Sequence, residues 1–422
     1  FQMMFDPVDK NAEDAAQLLE GLARRGRSCG VHIILASQTI SGIAALMTRE
    51  NGIFAQFPIR VALKNSVGES FATLTQGNDA AARLRARGEA ILNLDYGAQT
   101  ANQQAVIAVA DDAVLAGLQR SWWEAAKNAT NAPLVFDGAR LVRLGEAAPA
   151  MRALRRKVII DGAAPAAVVG YPIDVSGNPL AIALPNDRGR NIAVLGAGEK
   201  SGNIDDSEDV SNNAIGILQT ASVSLALQHP AGDAEFVCLD MLDGVTARRN
   251  NHAEWLNLME RLGYPVQVVG KDDLGAFLQS TASRLTEGGP MKPTYLLGFA
   301  LDRAAGLETP DMFAHRPVED LQTVLRDGPT SGVHTIGWWS NAATFKSHIG
   351  FGGEGFVESL VMLRLDQGGV QDFLGPFVTW SVRDNRGLVA DRTQLAEPTT
   401  IVPFALLSQR DSKIVLSSDW EA

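Results

Sequence analysis

The chain resembles itself at a separation of about 300 residues, and this repeat constrains its fold more than any other feature. LARRGRSCGVHIILASQ, residues 22–38, aligns with VLRDGPTSGVHTIGWWS, residues 324–340, so that Gly30-Val31-His32 falls on Gly332-Val333-His334 and Arg24 on Arg326. Downstream, VALK at 61–64 matches VMLR at 361–364, Leu74 matches Leu374, and Arg87-Gly88 matches Arg386-Gly387. Chance supplies one such match but not an ordered series. A period this long is a domain duplication, because solenoid units repeat every 20–50 residues or so. With 422 residues, 46% of them apolar, the chain can give two domains a core each.

Local patterns predict the elements of each copy. Ala15, Leu18, Leu19 and Leu22 recur at helical spacing within residues 11–25. VHIILA (31–36) and IRVALK (59–64) are short continuous apolar runs of the kind found in strands buried on both faces of a parallel sheet. GEAILNL (88–94) is expected to pair with QQAVIAVA (103–110). Residues 111–190 read as a connector, with a helix in DDAVLAGLQRSWWEAAKNA and short strands and turns from Pro133 to Gly189. From NIAVLGAG (191–198) onward, strands EFVCLDM, VQVVG and TYLLGFAL alternate with helices, one at 211–228 and one ending near Leu325. Such alternation predicts an α/β fold with a doubly wound, mostly parallel sheet. The expected division is 1–110, 111–190 and 191–422, with the first copy partial, since Phe1 opens inside an apolar run without a cap or preceding strand.

A net charge of −11 argues against a broadly basic surface, so a nucleic-acid contact would need a local patch or a ring of subunits. Cys29 and Cys238 lie far apart in apolar or small-residue surroundings and are expected to be buried free thiols in a reducing cytoplasm. No Cys/His cluster has metal-ligand spacing, and no run approaches the 18 or so apolar residues of a membrane span, which places any membrane anchor outside these residues. Trp122-Trp123 and Trp338-Trp339 are expected to pack in a core or between domains, and His32 and His334 to be satisfied strand histidines.

The first copy resembles the FtsK/SpoIIIE family of hexameric P-loop motors. FQMMFD resembles the segment that comes after the family's Walker B Asp-Glu, and RRGRSCGVHIILASQT has the order and spacing of its Arg-rich turn and Gly-[Ile/Val]-His strand. Glu69-Ser70, NDAAARL (78–84) and RGEAI (87–91) also fit, so the likeness covers residues 1 to about 110. It implies RecA-like P-loop domains in tandem. ATP and Mg2+ would be held in the first domain by Walker residues upstream of Phe1. Gln38, at the carboxyl end of a central strand, would position water or sense the γ-phosphate, and Arg24, Arg25 and Arg27 would be candidate arginine fingers. The plainer alternative is a solvated basic turn and an amide capping a strand end.

The second copy lacks the side chains that such chemistry needs. A P-loop requires a lysine against phosphate and a hydroxyl on magnesium. Aligned on the helix NNAIGILQTASVSLA, these become Ala214 and Ile215. The nearby GAGEKSG offers Gly196, Gly198, Lys200 and Ser201. A Glu separates glycine from lysine there, and Asp205, Asp206, Glu208 and Asp209 would repel phosphate. In YLLGFALDR, Asp302 ends the Walker B strand and Arg303 stands where a catalytic Glu belongs, and arginine cannot be a general base. The second copy is therefore expected to be a pseudo-ATPase without cofactor.

Three functions are expected, in this order. The first is a homo-oligomeric, hexameric motor translocating duplex DNA, with ATP hydrolysis a property of the whole protein rather than of these residues alone. The second is a type VII secretion ATPase of the EccC kind, which also strings FtsK-like domains together and moves protein. The third is a non-enzymatic scaffold.

Overall fold

A computed structural model describes residues 12–40, 53–127, 129, 140–174, 176–198, 212–288, 291–310, 312, 314–418 and 420. The chain divides into two units, Phe1–Ala132 and Pro133–Ala422.

The first unit contains α1 (Ala12–Arg25), β1 (Arg60–Leu63), α2 (Val67–Thr73), β2 (Glu89–Asn93), β3 (Asn102–Val106) and α3 (Asp112–Ala126). Ala15, Ala16 and Leu19 of α1 pack on Ile53, Phe54 and Phe57, whereas Leu18 and Leu22 stay exposed. The strands form an antiparallel sheet in the order β1-β2-β3. Three buried or half-buried amides tie its turns together. Asn93 Nδ2 donates to Asn102 Oδ1 at 2.8 Å, Asn102 Nδ2 to Asn78 Oδ1 at 2.9 Å, and Asn78 Nδ2 to Gly97 O at 2.7 Å. Gly97 takes φ +86, and a Cβ there would lie 2.3 Å from Leu74 O, so only glycine fits.

The second unit contains α4 (Ala148–Asp161), β4 (Ala166–Pro172), β5 (Leu180–Ala183), β6 (Ile192–Leu195), α5 (Asn213–Ala226), β7 (Glu235–Asp240), α6 (Gly244–Arg249), α7 (His252–Arg261) and β8 (Val266–Val269). It continues with α8 (Leu274–Glu287), β9 (Thr294–Phe299), α9 (Pro317–Asp327), β10 (Val333–Trp339), α10 (Ala342–Ile349), β11 (Ser359–Leu363), α11 (Gln367–Leu374), β12 (Gly387–Asp391), β13 (Thr399–Pro403) and α12 (Gln409–Ser417). Six strands run parallel in the order β11-β6-β10-β9-β7-β8, and an antiparallel wing, β12-β13-β4-β5, extends the sheet beyond β11. Every residue of β6, β9, β10 and β11 is buried, as the continuous apolar runs predict. Helix α5 is buried along its whole length. Three of its polar side chains are spent inside: Gln219 bridges Asn250 O and Leu407 N, Ser222 Oγ accepts from Trp255 Nε1, and Ser224 Oγ accepts from Val168 N.

The repeat is reproduced in the backbone. Residues 26–29 and 329–331 are short 3-10 turns, each ended by a left-handed glycine, Gly30 at φ +72 and Gly332 at φ +79. Val31 N donates to Gly26 O, and Val333 N to Gly328 O, both at 2.9 Å. The sheet β1-β2-β3 has the same antiparallel connectivity as β11-β12-β13.

Several expectations are corrected. VHIILA (31–36) is not in a ladder. Val31 and Ile34 are 42% and 96% exposed, because no segment among the described residues pairs with this run. His32 in the same run is exposed, and so is Cys29 on the turn before it, whereas Cys238 and His334 are buried. β1 lies in an antiparallel sheet and is only half covered, unlike its counterpart β11. The region 133–189 holds a full helix, α4. Its Pro149 sits in the first turn, where no amide is needed, and Gly162 caps it at φ +66. β4 and β5 pair into the second unit's sheet, so the latter part of residues 111–190 is structurally continuous with the strands from Ile192 onward. Trp122 and Trp123 lie on α3, 65% and 43% exposed, while Trp338 and Trp339 are buried.

His334 gives the second unit a pH dependence. Its Nδ1–H donates to Arg190 O at 2.8 Å, and burial, with Arg190's charge, holds the imidazole down to about 4 from an ordinary 6.5. The unfolded chain therefore takes up its proton first as pH falls. The stability from neutral His334 is full above about 6.5 and is lost progressively toward 4, a loss of about 3 kcal/mol. Urea unfolding followed across this window should show stability falling with acid. His334→Gln, which keeps a donor for Arg190 O without titrating, should flatten that part of the slope.

Candidate functional site

Open parallel sheets place ligands beyond the carboxyl ends of their central strands. In the second unit β6 ends there in Gly196-Ala197-Gly198, which leads toward α5. The carbonyls of this loop face inward. Gly196 O accepts from the Trp338 indole Nε1–H at 3.0 Å. Ala197 O and Gly198 O accept from Arg364 Nη1 at 3.2 and 2.9 Å, and Gly198 O also accepts from Asn213 N at 2.9 Å. Arg364 Nη2 donates to Asn213 Oδ1 at 2.9 Å. Asn212 caps α5, its Oδ1 accepting from Ile215 N at 3.1 Å.

This polarity is opposite to that of a phosphate cradle. A P-loop converges backbone N–H groups on an anion. Here consecutive C=O groups converge on a guanidinium and an indole N–H, and the amides of Asn213 and Ile215 at the helix start are already spent. Gly196 takes φ +99, and a Cβ would lie 1.9 Å from Leu363 O, so the loop lies tight against the end of β11. Ala214 and Ile215 are fully buried and apolar. Lys200, Ser201 and the acidic residues 205–209 lie outside the described residues.

The Walker B position is likewise committed. Asp302 Oδ1 accepts from Ser340 N at 2.8 Å and Oδ2 from Ser340 Oγ at 2.5 Å. Arg303 pairs with Asp243 at 3.2 Å, both exposed. Thr246, through its hydroxyl and amide, holds the Asp243 carboxyl down to about 2, with Arg303 adding least. Ser340 stands where the first copy has Gln38, so the positions expected to hold the acid and the sensor bond to each other. Among the described residues the donor set does not fit magnesium-ATP: there is no hydroxyl at 215, the Asp302 carboxylate is engaged on both oxygens, and position 303 holds a cation.

In the first unit, Arg24, Arg25 and Arg27 are exposed at the exit of α1, Arg24 pairing with Glu20 at 2.7 Å. Gln38 is exposed on a segment outside any sheet, so it does not stand at a strand end. Leu22, Arg27, Val31, Ile33, Phe57 and Ile59 line a shallow groove beside this turn.

Arg364 and Trp338 are the residues that sequence reasoning missed. The repeat pairs them with Lys64 and Ala36, and a small residue replaced by tryptophan beside the loop was the available signal. Nothing in the pattern, however, says that a side chain at the end of β11 turns back onto residues 197 and 198.

Protein-family models and curated proteins give no match to the sequence. Among solved structures, the chain is similar to the cytoplasmic domain of the type VII secretion ATPase EccC from Thermomonospora curvata. The identity is 18% and the TM-score 0.58, over 96% of this chain and 47% of that one. It is also similar to Thermomonospora curvata EccC (ATPases 2 and 3) in complex with a signal sequence peptide, at 12% identity and a TM-score of 0.52, over 96% of this chain and 67% of that one. The chain thus spans about half the length of the first of these structures. At such identities the likeness is one of fold, the α/β architecture that the chain shares with those structures.

Because the Trp338 indole both fills the space beside the loop and satisfies Gly196 O, Trp338→Ala should destabilise the second unit by about 3–5 kcal/mol in urea unfolding. Addition of Mg-ATP should not recover the loss.

Proposed function

We propose that the chain is part of an FtsK/SpoIIIE-type ATPase whose tandem domains act together on a protein substrate, with a second unit that serves the assembly without hydrolysing ATP. The observation that carries the second clause is the inverted cradle: carbonyls of Gly196, Ala197 and Gly198 gathered on Arg364 and Trp338. The protein substrate is favoured by the fold likeness across both units to EccC, one structure of which is in complex with a signal sequence peptide. On this reading Arg24, Arg25, Arg27 and Gln38 serve the first domain's ATP and Mg2+ in a cytoplasmic homo-oligomeric ring of six.

One observation favours DNA instead. Arg152, Arg156 and Lys157 are exposed or half-exposed on α4 and form a basic strip in an otherwise acidic chain. ATP turnover by the full-length protein, with a signal-bearing protein substrate or duplex DNA at low and high salt, separates the readings. Turnover raised by the protein substrate and indifferent to DNA is the expected result. Stimulation by DNA that fades with salt and disappears in a variant carrying Arg152→Gln, Arg156→Gln and Lys157→Gln would make the chain part of a DNA motor. Absence of turnover under all conditions would leave a scaffold.

A further inference from the structure

We infer that the second unit carries a guanidinium-binding site, filled in cis by Arg364, at the place where a P-loop would hold phosphate. The site is built from three oxygen acceptors, Ala197 O, Gly198 O and Asn213 Oδ1, at 3.2, 2.9 and 2.9 Å from the two terminal nitrogens of Arg364. A planar fork of donors can engage several carbonyls at once, which a lysine's point charge does less well. The same oxygens would repel a phosphate.

Backbone geometry gives an independent indication. Arg364 has φ +50, the left-handed region that non-glycine residues rarely occupy. The chain accepts that conformation directly after β11, and it turns the side chain back onto the loop after β6. β6 and β11 are neighbours in the sheet, so the guanidinium ties the two strand ends together where a bound nucleotide would otherwise order the loop. The first copy carries Lys64 at the matching position, and Lys64 Nζ donates to Arg85 O at 3.4 Å instead. Among the described residues the guanidinium site belongs to the second copy, where Ala197 O and Gly198 O are liganded from within. This deepens, and rests on, the reading of the second unit as non-hydrolysing.

Thermal unfolding of the full chain tests it, with Arg364→Gly as the informative variant. Glycine relaxes φ +50, so if the side chain did nothing, R364G would be as stable as the wild type or more so. The expected result is a midpoint lowered by about 5 °C, partly restored by millimolar methylguanidinium and not by inorganic phosphate or Mg-ADP. Arg364→Lys should fall between R364G and wild type, and it supplies the comparison if R364G does not fold; a lysine variant equal to wild type overturns the proposal. So does an R364G midpoint at or above wild type. Destabilisation without rescue by methylguanidinium overturns the binding site but leaves the non-hydrolysing reading standing. A wild-type midpoint raised by Mg-ADP, with loop 196–198 newly protected from hydrogen exchange, would sink both.

Discussion

A strand whose both faces are apolar can persist only where its N–H and C=O groups are paired on both sides, because in a dry layer no water replaces a missing partner. β10 meets that requirement between β6 and β9, and all seven of its residues are buried. The rest of the second unit is arranged to keep it so. Asn191, just ahead of β6, donates to Leu325 O and Phe356 O at 2.8 and 2.7 Å and accepts from Thr335 N at 2.8 Å, locking the start of β6 to β10 and to the end of α9. Arg190 forms a buried pair with Asp391 at 2.9 Å, which fastens the antiparallel wing to the parallel core. Asp391's carboxyl stays well below the usual range because Arg190, Thr393 and Ser359 bond to it, outweighing the upward push of burial.

The same requirement accounts for the contrast between the copies. Residues 22–38 and 324–340 fold through the same turn, with the same left-handed glycine and the same backbone hydrogen bond. They part only after it, where β10 finds two parallel neighbours and the run 31–36 finds none among the described residues. Local sequence specifies the turn; pairing partners decide whether a strand comes after it.

At the carboxyl ends of the parallel strands, the described residues are joined by internal bonds. The Trp338 indole, the Arg364 guanidinium and the Ser340 hydroxyl each take an acceptor that a P-loop enzyme would leave for amides, lysine or magnesium. Every one of these is a buried or half-buried polar group with its partner in place, and loss of one partner would strand the other in a low-dielectric site. Such a centre is coherent as structure. It couples β6, β10 and β11 through side chains.

The sequence by itself determined the duplication, the α/β class, the parallel strands of the second copy from 191 to 299 with the helices at 213–226 and 317–327, and the residue types at 214, 215 and 303 from which a loss of chemistry is expected. These are written in periodicity and in residue type, which are local properties. It read α4 as short strands and turns because proline and glycine near 149 and 162 look like breakers, although at a first turn and a C-cap they are favourable. The tertiary structure alone decided that 31–36 finds no partner among the described residues, that β4 and β5 belong to the second sheet, and that Arg364 reaches the loop after β6. Those outcomes depend on which strands become neighbours and on one left-handed residue at the end of β11, and neither is encoded in any window of consecutive residues.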